Sequence, residues 1–316
     1  MDGQLAEELI QCLPKQRTLF RYYKGRFANL LLSFVGERYQ TVSKLKKSPF
    51  QRLTTHPAVK SVLAHQGDGR INPSIFLQAW DEPSYCFRLT VGAWNGLNSR
   101  YDQVSRRGFN LVLQLNFSNQ HNQLYKSLYK PTQGDVFNFP GHPVASNNHG
   151  SSNEETLAWA RIDLDEKLDE ALIEEIQSDW VREAKWEADR IEWYKKRKKI
   201  APGYYSQANQ KNRLRYLTEI MQPYYSLWQE VMLSATIWFI YCELGVSRIY
   251  THTPEGGSLV KRISYSHPPR SIYSALPKRF CFEQCREPPA FLADYTPYKR
   301  LAKKRPISWQ RVELAA

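Results

Sequence analysis

The sequence predicts an α+β fold with a largely antiparallel sheet. Alternating apolar residues mark a strand over residues 108–117, and further strand-like segments cover residues 85–91, 156–163 and 172–177. These segments follow one another with loops but no helical pattern between them, which indicates an antiparallel meander. A long helical pattern comes directly afterwards, so helices are expected to cover the sheet.

The segment before the sheet, residues 1–74, is predicted to be a helical addition. Apolar residues recur at roughly helical spacing in residues 16–46, which indicates one or two helices there. Shorter helices are expected over residues 4–12 and 57–65. The α+β domain is therefore predicted to span residues 75–286.

Two long helices are predicted in the second half of the chain. Helix-forming residues run over 178–199 and end in five consecutive bases. Pro223 suits the first turn of the next helix, which ends at Leu244 before Gly245, a favoured C-cap residue. That second helix is apolar around much of its circumference, so it should be buried against the sheet.

Strands are then expected over residues 246–252 and 279–283. The remaining segment, residues 287–316, is rich in proline and in basic residues. This composition predicts an extended and loosely packed C-terminal tail.

The formal charge of +13 is distributed unevenly. Residues 13–60 carry 11 Lys/Arg against one acid, and residues 258–316 carry 12 against 4. Residues 154–192 carry 14 acids against 5 bases. This pattern predicts two basic surfaces beside an acidic one, and basic surfaces attract polyanions such as nucleic acid.

Several features predict a soluble cytoplasmic protein with no membrane segment. The five cysteines follow no disulfide framework, and their spacing matches no common zinc site, so no metal is expected. The first residues lack the basic and apolar regions of a signal peptide. The longest apolar run, residues 231–242, is too short to span a bilayer.

The predicted order of elements resembles the GNAT family of N-acyltransferases. In that fold a meander leads to a helix, a splayed fifth strand, a short helix and a sixth strand. Residues 272–282 look like the family's segment in which a short helix carrying a tyrosine precedes the final strand. The resemblance covers about residues 75–285 and implies a mixed, largely antiparallel GNAT-like sheet. It implies acyl transfer from acetyl-CoA or another acyl-CoA to an amine, or a derived domain without that activity.

The same resemblance implies catalytic roles for three residues. Tyr273 matches the tyrosine that protonates the departing thiolate in many GNAT enzymes. Glu174 or Glu175 would act as the base for the amine, directly or through water. Each residue also has a structural alternative, since Tyr273 can simply pack and strand alternation must turn one glutamate outward.

GNAT enzymes bind the cofactor pyrophosphate at the start of the helix after the fourth strand, which here implies Gln177, Ser178, Asp179 and Trp180. Unlike the family's loop, this stretch has no glycine and carries an acidic residue. The structural alternative is that Ser178 or Asp179 caps the helix while Trp180 lies in the core.

Gly256 and Gly257 are a second candidate anion-binding site. They occupy a predicted strand-to-helix turn and are followed by Lys261 and Arg262. Glycines at such a turn can expose amide groups to a phosphate, although a simple tight turn is the alternative.

The hexapeptide at residues 175–180 carries a second resemblance. Its six letters, Glu-Ile-Gln-Ser-Asp-Trp, are similar to a segment of large polyvalent proteins of phages and conjugative elements. This resemblance implies a phage or mobile-element setting but no particular reaction.

The alternative to an enzyme is an accessory protein that binds nucleic acid or a protein partner. Its candidate surfaces are the basic regions 13–60, 195–216 and 258–316. In the second region, bases alternate with Tyr204 and Tyr216, a composition that suits phosphate contact and base stacking.

Overall fold

A computed structural model describes residues 1–13, 18–67, 69–95, 103–131, 137–139, 141–145, 155–203, 206–263 and 269–314. Within these ranges, eight strands form one sheet in the order β1-β2-β3-β4-β5-β6-β8-β7. The strands are β1 (Thr18–Tyr23), β2 (Ser84–Asn95), β3 (Phe109–Asn116), β4 (Thr156–Leu164), β5 (Glu170–Gln177), β6 (Arg248–His252), β7 (Glu283–Cys285) and β8 (Trp309–Glu313).

Helices account for much of the remaining described chain. They are α1 (Gly3–Cys12), α2 (Arg26–Tyr39), α3 (Val42–Leu45), α4 (Pro57–Ala64), α5 (Pro73–Gln78), α6 (Asn119–Leu124), α7 (Asp179–Lys196), α8 (Gln207–Arg215), α9 (Gln222–Trp238), α10 (Pro254–Val260), α11 (Arg270–Tyr273), α12 (Ala275–Arg279), α13 (Ala290–Ala293) and α14 (Thr296–Ala302). A π-helical turn extends α6, α8 and α9, and a 3₁₀ helix precedes α4. No helix in the described ranges is long and apolar enough to cross a bilayer.

The sheet is mixed but largely antiparallel, which confirms the predicted α+β fold class. Each neighbouring pair of strands is antiparallel except β5 and β6. The parallel pair is short, because only residues 170–173 of β5 are in register with residues 248–251 of β6. Beyond that point β5 continues beside β4 alone, so β5 and β6 separate towards their carboxyl ends.

The two faces of the sheet are covered by different parts of the chain. The long apolar helix α9 packs on β3, β4 and β5 and contacts α2, as its circumference of apolar residues predicts. The opposite face carries Leu172 and Tyr250, which pack with Val260, Tyr298 and Trp309 from the C-terminal part of the chain. The sheet is therefore buried on both sides of β5 and β6.

Three sequence-based predictions are wrong. Residues 18–23, placed in a helix, form edge strand β1, in which Phe20 and Tyr22 face inward at a spacing of two. The strand placed at 279–283 is the end of α12 and a turn, and the short strand β7 begins at Glu283. Residues 287–316, predicted to be loose, contain α13, α14 and β8, an internal strand of the sheet with a neighbour on each side.

The last error has a physical reason. Strand β8 joins β6 to β7, and Trp309 within it is fully buried and donates a hydrogen bond to Tyr298 (3.0 Å). The prolines and lysines on which the prediction is based lie in the segments around β8, so this composition gives no information about the burial of the strand itself. Strands from all three predicted regions therefore pair in one sheet, and the predicted boundaries at residues 75 and 287 run through it.

We predict that Trp309→Ala destabilises the protein by about 3–5 kcal/mol, since it leaves a large cavity between β8 and the C-terminal helices. Urea unfolding followed by far-UV circular dichroism measures the change. The matched control is Trp186→Ala, because the Trp186 side chain is exposed and its loss should cost about 0.5 kcal/mol or less. Equal effects of both substitutions would contradict the buried position of Trp309 in β8.

Candidate functional site

A bulge in β5 places Glu174 where β5 and β6 separate. Ile173 pairs with Ile162 and Glu175 pairs with Arg161, so Glu174 is the extra residue of the irregular register. A bulge redirects the side chain of its extra residue, and here it turns the carboxylate of Glu174 into the space between the two strands. The side chain is fully buried.

Four donors surround the Glu174 carboxylate. The backbone amide of Ser105 donates to Oε1 (2.9 Å), and the Ser105 hydroxyl donates to Oε2 (2.9 Å). His252, at the end of β6, lies with Nε2 3.1 Å from Oε2. The ammonium of Lys261, just after α10, lies 3.4 Å from Oε2 and also donates to the Glu174 carbonyl. We call these four residues the Glu174 cluster.

The electrostatics of the Glu174 cluster favour an ionised carboxylate and a neutral imidazole. Burial alone would raise the pKa of Glu174, but the Lys261 charge and the His252 hydrogen bond hold it below its ordinary value. Burial also lowers the pKa of His252. Nδ1 of His252 is buried with no partner in the described structure, so a second proton there would be unsatisfied.

The geometry does not match a serine nucleophile with a histidine base. Ser105 Oγ (3.2 Å) and Glu174 Oε2 (3.1 Å) approach the same nitrogen of His252. A catalytic triad requires the acid and the serine on opposite nitrogens of the ring. The Glu174 cluster is therefore a satisfied ionic contact that ties the diverging strands together.

The charges of Glu174 and Glu175, the two predicted catalytic bases, affect Tyr273. Burial raises the pKa of Tyr273, and the carboxylates of Glu175 and Glu174 add to this effect. Glu175 forms an ion pair with Arg161 across the β4–β5 pair. Tyr273 is itself buried. Gln310 of β8 donates to the Tyr273 carbonyl (2.8 Å), which links β8 to this region.

The predicted cofactor-binding stretch has a capping role. Ser178 is the N-cap of α7, and its hydroxyl accepts from the amide of Val181 (3.1 Å) and donates to the Leu157 carbonyl (2.5 Å). Trp180 is fully buried and donates to the Tyr216 hydroxyl (3.2 Å) within a group of aromatic rings. Both residues therefore follow the structural alternative.

Asp179 is a buried carboxylate at the first turn of α7. Burial would raise the pKa of Asp179, but hydrogen bonds from His142 (2.6 Å) and Gln177 (2.7 Å) and the charge of Arg182 hold it below its ordinary value. A negative charge at this end of the helix is stabilised by the helix dipole. The position at which the resemblance places a pyrophosphate thus already carries an anion.

Gly256 and Gly257 lie inside α10, where they allow close packing. A side chain at Gly256 would come within 2.6 Å of the Ser308 carbonyl, and one at Gly257 within 3.1 Å of the His252 side chain. The Gly256 amide donates to the Thr253 hydroxyl (3.0 Å). The Gly256 amide is thus used in the helix cap, and the two glycines allow α10 to pack closely against β6 and the residue before β8. Anion binding by these glycines stays a prediction.

Acyl-CoA does not fit these residues. The residues of the Glu174 cluster and Tyr273 are all buried, so their side chains are not open to a cofactor of that size. The Asp179 carboxylate at the start of α7 would repel a pyrophosphate.

The exposed face of α7 is a second candidate site. Trp186, Arg190, Trp193 and Arg197 follow one another at intervals of three or four residues, so they share one side of the helix. Each guanidinium lies over a neighbouring indole, Arg190 at 5.6 Å from the Trp186 ring and Arg197 at 3.6 Å from the Trp193 ring. We call these four residues the tryptophan–arginine face. The exposed bases at 195–199 continue it.

The basic run at 195–199 is exposed, as the sequence predicts, but the aromatic residues predicted to stack beside it are not the exposed ones. Tyr216 is buried, and Tyr204 lies outside the described residues. The repeat of tryptophan and arginine at helical spacing was a readable signal for the tryptophan–arginine face. Ser105 and His252 carried no such signal, because their contact with Glu174 joins residues 69 and 78 positions apart.

We predict that Glu174→Ala destabilises the protein by about 3–5 kcal/mol, because Lys261 would keep a buried charge without its partner. Combining Glu174→Leu with Lys261→Met should cost less than either single change, since neither charge remains. Urea unfolding of the unchanged protein, of the single variants Glu174→Leu and Lys261→Met, and of the double variant provides the test. The control is Glu255→Ala, which removes an exposed ion pair with Arg270 and should cost less than about 1 kcal/mol. If the losses of unfolding free energy of the two single variants simply add in the double variant, Glu174 and Lys261 do not stabilise the fold as a pair.

We also predict that acid weakens the fold through His252. Its folded-state pKa lies below 6.5, so the unfolded chain takes up a proton near that pH while the folded chain does not. Stability is therefore fully present above the ordinary pKa and decreases as the pH falls below it. Unfolding in urea at about pH 8 and about pH 5.5 should show a smaller decrease for His252→Gln than for the unchanged protein.

The surface residue His65 supplies the control for that measurement, because His65→Gln should leave the pH dependence unchanged. An identical decrease in the His252→Gln variant would show that His252 does not contribute.

Comparisons with known proteins add no relative. No family model matches the sequence, and no curated protein and no solved structure is significantly similar to it.

Proposed function

We propose that this chain is a non-catalytic nucleic-acid-binding protein built on a GNAT-like fold that does not hold acyl-CoA. A parallel pair of strands that separates after four residue pairs, within an otherwise antiparallel sheet, supports the GNAT-like relationship. The buried Glu174 cluster between those strands argues against a cofactor there. The resemblance of residues 175–180 to mobile-element proteins suggests a phage or mobile-element setting.

The observation that carries the proposal is the exposed basic end of α7. Its side chains are all exposed to solvent: Lys195, Lys196, Arg197, Lys198 and Lys199. A compact group of five bases attracts phosphates and releases the counterions that surround them. Further exposed bases in regions 13–60 and 258–316 support a basic surface, although Lys261 in the last region is buried.

Five carboxylates of the acidic segment do not contribute to the surface charge, because they are buried and ion-paired. Asp163 pairs with Arg106 (2.7 Å), Glu170 with Arg248 (3.0 Å) and Glu187 with Arg190 (2.6 Å). Glu174 and Asp179 are the other two, with the partners described above. The predicted acidic surface is thus partly an acidic interior, in which each buried carboxylate is matched by a base.

Acyl transfer is the second candidate function. The observation that favours it is the proximity of Tyr273 to Glu174 and Glu175 at the point where the parallel strands separate. On this alternative, acetyl-CoA would raise the thermal unfolding temperature, and Tyr273→Phe would reduce turnover without unfolding the protein. Burial of Tyr273 and the lack of fit at α7 make it the weaker candidate.

We predict that the protein binds a fluorescent oligonucleotide with an affinity that decreases steeply with salt. If five phosphates are neutralised, the affinity should fall on the order of a hundredfold between about 50 and 200 mM salt. Fluorescence anisotropy measures it. Replacing Lys195, Lys196, Lys198 and Lys199 with glutamine should reduce the salt dependence of the affinity. The matched control is the same change at Lys126, Lys130 and Lys167, which are exposed and lie outside the three basic regions.

A parallel thermal-shift experiment separates the two candidates. Acetyl-CoA should leave the unfolding temperature unchanged. A flat salt response would contradict nucleic-acid binding, and a clear stabilisation by acetyl-CoA would favour acyl transfer.

A further inference from the structure

We infer that the tryptophan–arginine face binds single-stranded nucleic acid by stacking unpaired bases on Trp186 and Trp193. This inference rests on the proposed function and names its ligand and its contact residues. It depends on the exposure of the two indoles, on the guanidinium groups beside them and on the basic run that follows.

The two indoles are exposed although the helix that carries them is firmly packed. The side chains of Trp186 and Trp193 are 61% and 50% exposed. On the other side of α7, Trp180, Ala184 and Ile191 are buried in the main core. The core side of the helix is thus already filled, and the two tryptophans contribute little to its burial.

The arginines of this face are held in place by other contacts. Arg190 makes two hydrogen bonds to the buried Glu187 (2.6 and 2.8 Å) and one to the Pro202 carbonyl (3.1 Å). Arg197 donates to the Trp193 carbonyl (3.1 Å). Side chains fixed before binding lose less conformational entropy when a ligand arrives. The face is therefore organised in advance for flat ligands.

Spacing and charge select the ligand. Trp186 and Trp193 are seven residues apart, which is roughly 10 Å along a helix axis. Bases stack on aromatic rings and on guanidinium planes, and neighbouring lysines contact the phosphates between them. The exposed bases at 195–199 lie at the end of this face, so one strand could meet both features along α7.

A single strand fits this chemistry better than a duplex. In a duplex the base faces are stacked on one another and only base edges are accessible, whereas a single strand can expose the faces themselves. An acidic protein segment could match the bases at 195–199 but would make no use of paired indole and guanidinium planes. The geometry thus favours single-stranded DNA or RNA.

The experiment compares one sequence in three forms: single-stranded DNA, single-stranded RNA and duplex DNA. Anisotropy titrations use the full chain and the variants Trp186→Ala, Trp193→Ala and the double variant. We expect each single change to weaken single-strand binding on the order of tenfold, with the salt slope unchanged because the phosphate contacts remain. Trp193→Tyr should recover part of the affinity because it restores an aromatic plane.

Controls make the outcome specific. Phe139→Ala removes an aromatic side chain of similar exposure, 56%, that lies beside His142 and is not part of the tryptophan–arginine face. It should not change the affinity. Circular dichroism and thermal unfolding of each variant show whether the fold is intact. The DNA and RNA arms identify which single strand is preferred.

The failures are distinguishable. If the unchanged protein binds no nucleic acid in a salt-dependent way, the proposed function is wrong and the inference falls with it. If it binds but the tryptophan variants match it, or the duplex binds equally well, only the stacking inference is overturned. Binding of an acidic peptide in place of oligonucleotides would also overturn it.

Discussion

The contact between Glu174 and Lys261 is the interaction on which the arrangement of the C-terminal half depends. Strands β5 and β6 share only four residue pairs, and their backbone pairing ends at Ile173. The bulge at Glu174 supplies a carboxylate at that point, and residues from β6, the end of α10 and the segment around Ser105 converge on it. Since an unpaired buried charge is very unfavourable, these elements are held in one arrangement.

Closing the divergence in this way has a functional consequence. The side chains that stabilise the separated strands also occupy the space that a ligand would need, so stability and ligand access compete at the same place. The start of α7 is similar, because Ser178 and Asp179 already make hydrogen bonds within the protein there. Ligand binding is then expected on the protein surface. Helix α7 links the two sites, because it starts next to β5 and carries the tryptophan–arginine face.

Charged residues of the two signs differ in burial as well as in their position along the sequence. Carboxylates such as Asp163 and Glu187 pair with arginines below the surface, while the lysines at 195–199 remain exposed. An arginine that binds a buried carboxylate can also cover an indole, as Arg190 does on Trp186. The acidic segment therefore helps to build the basic surface, because it fixes the arginines that contribute to it.

The sequence by itself determined the features that depend on neighbouring residues: the alternating strand β3, the apolar helix α9 with Pro223 in its first turn, the Ser178 cap and the basic end of α7. It also allowed the α+β class to be predicted from the order of elements. Only the tertiary structure decided that residues 18–23 and 309–313 are strands and that Glu174 meets His252 and Lys261. Those outcomes depend on pairing between distant segments, and a local pattern carries no information about the partner of a strand or of a charge.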